Sequence, residues 1–180
     1  MQSSVKWTLV VLITVAFLIG SAGQALAFFG SSKFEKEVDI EKSAVKLARE
    51  AIRGGYRLVT AEELKQWIDS GKEILIVDTM PYEASYKKNH VPGAKQFLFP
   101  IPEMSEWDST QTANKSMDDY QKLLGADKDR VIVVYCGFVK CTRSHNGAVW
   151  AVKMGYANVY RFSGGIFAWL GLDFPVEKVE

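Results

Sequence analysis

Two cysteines lie five positions apart in the segment Cys136-Gly137-Phe138-Val139-Lys140-Cys141-Thr142-Arg143-Ser144, interleaved with a glycine, two cations and two hydroxyls. A thiol becomes a nucleophile when its thiolate is favoured, and nearby cations and a helix N-terminus do that. The segment leaves the apolar run Val131 to Tyr135 and enters a helix-forming stretch ending at Gly155. Successive loop N–H groups can form an anion-binding nest for a thiolate, a persulfide or an oxyanion such as thiosulfate or phosphate. Arg143 is the natural bidentate clamp, and Ser144 reads as the N-cap of the following helix. Two plainer readings stay open at this point: a buried Cys136 acting as a small hydrophobe, and a structural Cys136–Cys141 disulfide.

The elements that must position this loop follow from periodicity. Tyr56 to Val59 suits a short strand, and Thr60-Ala61-Glu62-Glu63 is a capping box that starts a helix running to Ser70. Ile74 to Asp78 (ILIVD) and Val131 to Cys136 (VIVVYC) are continuous apolar runs, as expected of strands buried on both faces. PYEASYKKN suits a short helix, HVPGA a turn into KQFLF, and Ile101 to Asn114 a polar surface loop in which Trp107 could shape a lid. A helix is expected from about Ser116 to Leu124, then a strand at NVYRF, a turn at Gly164-Gly165 and a short helix at IFAWLGL. Trp150, Trp169, Phe167, Tyr156 and Tyr160 read as core and sheet packing. Strands alternating with helices imply an α/β fold with a largely parallel sheet, and ligands of such sheets sit at the carboxyl ends of strands. Cys136 is at such an end.

The N-terminal 27 residues differ in kind. One cation, Lys6, precedes the apolar run Trp7 to Gly20 and the small-residue stretch SAGQALA, the order of a secretory signal. The expected organisation is a signal peptide at 1–27, a leader and N-terminal amphipathic helix at 28–55, and the α/β domain at 56–180. In that helix the apolar stripe is Val38, Ile40, Ala44, Val45, Leu47, Ala48 and Ile52. Export implies a periplasmic or otherwise extracytoplasmic location where disulfides persist; an uncleaved N-terminus would instead anchor the chain to a membrane. The net charge of +1 argues against a nucleic-acid partner. Two cysteines and two histidines lack the spacing of a zinc or haem site, so neither metal nor cofactor is expected.

From Tyr56 to Val176 the strand ILIVD, the turn HVPGA, the VIVVYC strand with its loop ending in Arg143-Ser144, the helix leading to MGYANVY and the close GGIFAW resemble, in order and spacing, the rhodanese family. The resemblance implies a rhodanese-like three-layer fold with a mostly parallel five-stranded sheet. It also implies a nucleophile at Cys136, assisted by Arg143, that carries sulfane sulfur as a persulfide from a donor such as thiosulfate to a thiol or other acceptor. The loop residues Gly137, Phe138, Val139, Lys140, Cys141, Thr142 and Ser144 would cradle it, with Lys140 a second cation. Asp78 and His90 fall on family positions with bracing and turn roles. The chain departs from the family in placing six residues between Cys136 and Arg143, in carrying Cys141, and in having Met80 where an arginine is common. Cys141 is a natural resolving thiol that would attack the Cys136 persulfide and leave a disulfide. His145 reads either as a general acid near the thiol or as a solvent-facing helix residue.

Three functions are compatible with these residues. The first is an exported sulfurtransferase with a small sulfur donor, a thiol acceptor and a redox or sulfur-relay protein as partners. The second is a non-catalytic sulfur-carrier or docking module. The third is phosphatase or arsenate-reductase chemistry, whose relatives have a gap one residue shorter than the six here. On the export reading, N-terminal sequencing of the mature protein should begin at Phe28; a chain that retains Trp7 to Gly20 would be the anchored form.

Overall fold

The computed structural model describes residues 32–179. The chain divides after Lys42. The first helix, α1 (Lys33–Gly54), begins in the first unit and ends in the second. The sheet and the site described with it lie in the second unit, from Ser43 onward. Among the described residues no helix is long and apolar enough to cross a membrane.

Five strands form one sheet: β1 (Arg57–Val59), β2 (Ile74–Asp78), β3 (Lys95–Gln96), β4 (Val131–Tyr135) and β5 (Asn158–Phe162). Their order is β1-β5-β4-β2-β3, and every pairing is parallel. Parallel pairing forces each connection back across a face of the sheet, so both faces are covered. The helices that follow α1 are α2 (Ala61–Asp69), α3 (Met117–Leu124), α4 (Arg143–Lys153) and α5 (Gly165–Gly171). Between them lie a π-helical turn at Tyr82–Tyr86 and a 3₁₀ turn at Ser109–Thr112.

The alternation of strand side chains sorts the core into two layers. Ile132 and Val134 of β4 join Leu75, Val77, Phe97, Phe99, Tyr120, Ala148 and Trp150 on one face. Val133 and Tyr135 join Val59, Leu64, Ile76, Phe162, Ile166 and Trp169 on the other. This explains why β2 and β4 read as unbroken apolar runs: each face of the strand meets its own helix layer. The Thr60 box forms as expected, the hydroxyl accepting from Glu63 N–H and the Glu63 carboxylate from Thr60 N–H, and Ser116 and Asp119 make a second box on α3.

Three expectations need correction. Within Ser43 to Gly54 the apolar stripe is not the covered face of α1: Val45 and Ile52 are exposed, whereas Glu50 and Gly54 are buried. The helix approaches the domain closely at Gly54, where a Cβ would lie 2.4 Å from the Tyr56 ring. The segment 101–114 is the largely exposed loop expected, tied at its start by Asn146, whose amide donates to the Pro100 and Pro102 carbonyls at 2.9 and 2.8 Å and accepts from Met104 N–H. Trp107, however, packs inward, edge-on to Trp150 at 5.1 Å, and shapes no lid. Phe167 does not join the core; it is 60 % exposed and stacks on Phe138.

One glycine couples the start of α5 to the cysteine loop. Gly165 has φ +58°, and a Cβ there would sit 2.2 Å from the Cys136 carbonyl oxygen. A side chain would meet both left-handed strain and a backbone clash. Gly165→Ala should therefore lower stability by roughly 3 kcal/mol. The control Gly171→Ala, where nothing lies within 4 Å, should leave denaturant midpoints nearly unchanged.

Candidate functional site

Cys136 is the first residue past β4, the central strand, and is fully buried. The loop that follows is held by its carbonyls. Ile166 N–H donates to the Cys136 carbonyl at 2.9 Å, Phe167 N–H to Gly137 at 3.0 Å and Cys141 N–H to Phe138 at 3.0 Å. The Arg161 guanidinium donates to the Val139 and Cys141 carbonyls at 3.2 and 2.8 Å. With those oxygens engaged, the Gly137 and Arg143 N–H groups face the Cys141 sulfur.

Both cysteines are free, so the disulfide reading does not describe this state. Their environments differ. The Cys136 Sγ lies 3.2 Å from Ser144 Oγ and 3.5 Å from the Cys141 carbonyl oxygen. Burial pushes its thiol up, and the neighbouring Cys141 thiol adds to that shift. Cys141 is lowered to about 6: the Cys136 S–H outweighs burial, and the Arg143 and Gly137 N–H groups and the Arg143 charge add to it. The two thiols are coupled and their environments push them in opposite directions, Cys136 up and Cys141 down.

The other expected residues fall as follows. Ser144 is not the N-cap; α4 starts one residue earlier, Thr142 stands at the cap without a side-chain bond, and Ser144 is buried against Cys136. Its hydroxyl is used by long-range partners, which is why a local capping rule misplaced it. Arg143 donates to the Phe99 carbonyl, and its charge reaches Cys141. Lys140, Phe138 and Val139 are exposed, and Val139 borders an open groove of about 410 Å³ with Thr60, Ala61, Phe162 and Leu172. A hollow of about 480 Å³ on α3, lined by Asp118, Gln121 and Lys122, lies away from the cysteines.

Asp78 braces the strand ends: its carboxylate accepts from Tyr135 O–H at 2.6 Å and Met80 N–H at 2.8 Å. His90 makes the turn, with Nδ1 2.8 Å from the Tyr86 carbonyl. His145 is neither solvent-facing nor bonded to a thiol. It is 1 % exposed, and its Nδ1 lies 2.8 Å from the Tyr56 hydroxyl. Burial lowers its pKa, so it is neutral at neutral pH.

Sequence reasoning missed Arg161 and Glu50. Arg161 has no exposed surface, yet its Nη1 pairs with the Glu50 carboxylate at 2.6 Å and its Nε donates to Ser144 Oγ at 2.9 Å. A strand arginine ordinarily reads as solvent-facing, and the pairing spans 111 positions, so no local signal marks it.

With the strand-end cysteine and its loop in place, comparison with known proteins decides the family: the Rhodanese-like domain profile matches residues 60–172. The chain belongs to the rhodanese-like family. Among curated relatives it is 29 % identical to the sulfur carrier protein TtuD of Thermus thermophilus over 109 residues, covering 60 % of this chain and 37 % of that protein. It is also 29 % identical over 141 residues to the chloroplastic rhodanese-like domain-containing protein 14 of Arabidopsis thaliana, covering 64 % of this chain and 62 % of the relative. The chain thus spans less than two thirds of either relative's length. In fold it is similar to a thiosulfate sulfurtransferase from Pseudomonas aeruginosa, with TM-score 0.55, 21 % identity and coverage of 77 % of this chain and 23 % of that one. The BH2092 protein of Bacillus halodurans gives TM-score 0.53, 23 % identity and coverage of 75 % and 86 %. The rhodanese-like fold expected from the sequence is therefore present, with its five strands all parallel.

Asp78 yields a pH prediction for this rhodanese-like domain. Burial outweighs the Tyr135 and Met80 hydrogen bonds and raises its pKa from 3.8 to about 6. A group whose folded pKa is raised favours folding below its unfolded value, and that contribution disappears as pH rises through the folded value. Stability should fall between pH near 4 and about 6 by up to about 3 kcal/mol, at about 1.4 kcal/mol per pH unit. Asp78→Asn should flatten that slope in urea melts collected across this range.

Proposed function

We propose that the chain is an exported sulfurtransferase in which Cys136 takes sulfane sulfur from thiosulfate or a similar donor and passes it to a thiol acceptor. The observation that carries this reading is Cys136 at the carboxyl end of the central parallel strand, with a hydroxyl and a second sulfur at its Sγ. In loading, the Cys136 sulfur attacks the outer sulfur of the donor, its proton passes to the Cys141 thiolate, the sulfur–sulfur bond of thiosulfate breaks and sulfite leaves with the electron pair. The product is Cys136–S–S⁻. An acceptor thiolate then attacks the outer sulfur, forms its own persulfide and returns Cys136 as thiolate.

Cys141 supplies an internal alternative. As a thiolate it attacks the inner sulfur of the protonated Cys136 persulfide, forming the Cys136–Cys141 disulfide and releasing hydrosulfide. Its lowered pKa suits that role, because the thiolate is the attacking species. A reducing partner then restores two thiols.

The name sulfur carrier given to the Thermus relative is consistent with this chemistry. Intact-mass measurement after thiosulfate should show a gain of one sulfur atom on the reduced wild type and none on Cys136→Ser. Cys141→Ser should load the sulfur, keep it longer and form no intramolecular disulfide. Absence of loading on the reduced wild type would overturn the sulfurtransferase reading.

A further inference from the structure

Around Cys136 the charged and titratable groups come from every neighbouring element. Cys141 is on its own loop, Arg143 opens α4, Asp78 closes β2 and acts on Cys141, and Arg161 enters from β5 with Glu50 of α1 behind it. His145 and Tyr56 border the Glu50–Arg161 pair. The pair reaches the sulfur through one atom, Ser144 Oγ, which lies 2.9 Å from Arg161 Nε and 3.2 Å from Cys136 Sγ.

A hydroxyl has one hydrogen and two lone pairs. Arg161 Nε–H occupies one lone pair, and when the Cys136 sulfur is an anion with no hydrogen of its own the hydroxyl must donate to it. The same guanidinium grips the loop by the Val139 and Cys141 carbonyls, and Tyr56 O accepts from Nη1 at 3.3 Å. The Tyr56 hydrogen is then directed to His145 Nδ1, 2.8 Å away. Glu50 is buried and offsets the guanidinium charge; although burial opposes its ionisation, the Arg161 hydrogen bond and charge win and keep it a carboxylate.

We propose that Arg161 is a positioning residue of the sulfur site: held by Glu50 of α1, it turns the Ser144 hydroxyl into a donor for anionic sulfur on Cys136. The profile-matched region, residues 60–172, does not contain Glu50, so the end of α1 belongs to the working unit of the site. The charges act on Cys136 with opposite sign. Arg161 favours a Cys136 anion, and Glu50 weakens that effect.

The opposition gives the test, which rests on the sulfurtransferase reading only for the name of the site, since alkylation needs no sulfur donor. The pH dependence of iodoacetamide alkylation is followed at each cysteine by peptide mass spectrometry in the full, reduced chain, with near-ultraviolet circular dichroism to verify folding. Arg161→Gln and Ser144→Ala should each raise the Cys136 midpoint by about one pH unit or more, slowing its alkylation about tenfold at fixed pH. The double variant should go no further than the larger single one. Glu50→Gln should shift the Cys136 midpoint downward. A merely structural role would move Arg161→Gln and Glu50→Gln the same way. Shifts of one sign in those two, or an unchanged Cys136 midpoint in folded Ser144→Ala, overturn the proposal. If Arg161→Gln does not fold, the opposed shifts of Ser144→Ala and Glu50→Gln decide it alone.

Discussion

A guanidinium stays charged at any pH a protein survives, so when it has no solvent-exposed surface all its donors must be met from inside. Arg161 is in that position. The desolvation of such an ion is several kcal/mol unfavourable unless a counter-charge and good hydrogen bonds offset it. Here the offset comes from four places at once: Glu50 on α1, Tyr56 before β1, Ser144 on α4, and the Val139 and Cys141 carbonyls of the loop. Each partner is fixed by the need to satisfy the same side chain, so the helix end, the strand and the loop cannot shift independently. A hydrophobic contact would permit sliding; a planar fork with directed N–H groups permits very little.

The loop inherits its shape from that constraint and from α5. Backbone carbonyls need partners, and those of Cys136, Gly137, Phe138, Val139 and Cys141 accept from α5, from the loop itself or from Arg161. Peptide units whose oxygens are tied to these donors present fixed N–H vectors, which is how the Gly137 and Arg143 amides meet the Cys141 sulfur. Gly165 is the other half of the arrangement: without a Cβ it lets the start of α5 come against the Cys136 carbonyl. The length of this loop and its second cysteine are thus accommodated by support from both sides, Arg161 and the start of the last helix.

Much of the fold was legible because its signals are local. β2 and β4 announce themselves as apolar runs, and Thr60 with Glu63 closes a capping box that needs only four residues. The position of Cys136 at a strand end was legible for the same reason. What could not be read is what depends on contacts between distant segments. Glu50 sits on a helix whose apolar stripe points elsewhere, and its burial follows only from the charge it meets on β5. Ser144 obeys no capping rule because a buried arginine and a sulfur compete for its hydroxyl. Phe167 carries a core-type side chain but lands at the mouth of the loop, since α5 turns its Ile166 and Trp169 face inward.

The two coupled thiols are pushed in opposite directions. While Cys136 keeps its proton, charge is favoured on Cys141, where amide N–H groups and the Arg143 cation receive it. When Cys136 gives it up, the charge moves to an atom with no exposed surface, and the hydroxyl of Ser144 becomes its principal donor. The first state places the thiolate at the less deeply buried sulfur; the second places it where Arg161 acts through one intervening atom. Burial disfavours the Cys136 thiolate, and thiolate character and exposure are what make a cysteine vulnerable to oxidation. On the proposed sulfurtransferase reading, Cys141 is the group placed to take the proton of Cys136, which ties the two cysteines into one unit rather than a nucleophile with a spare thiol nearby.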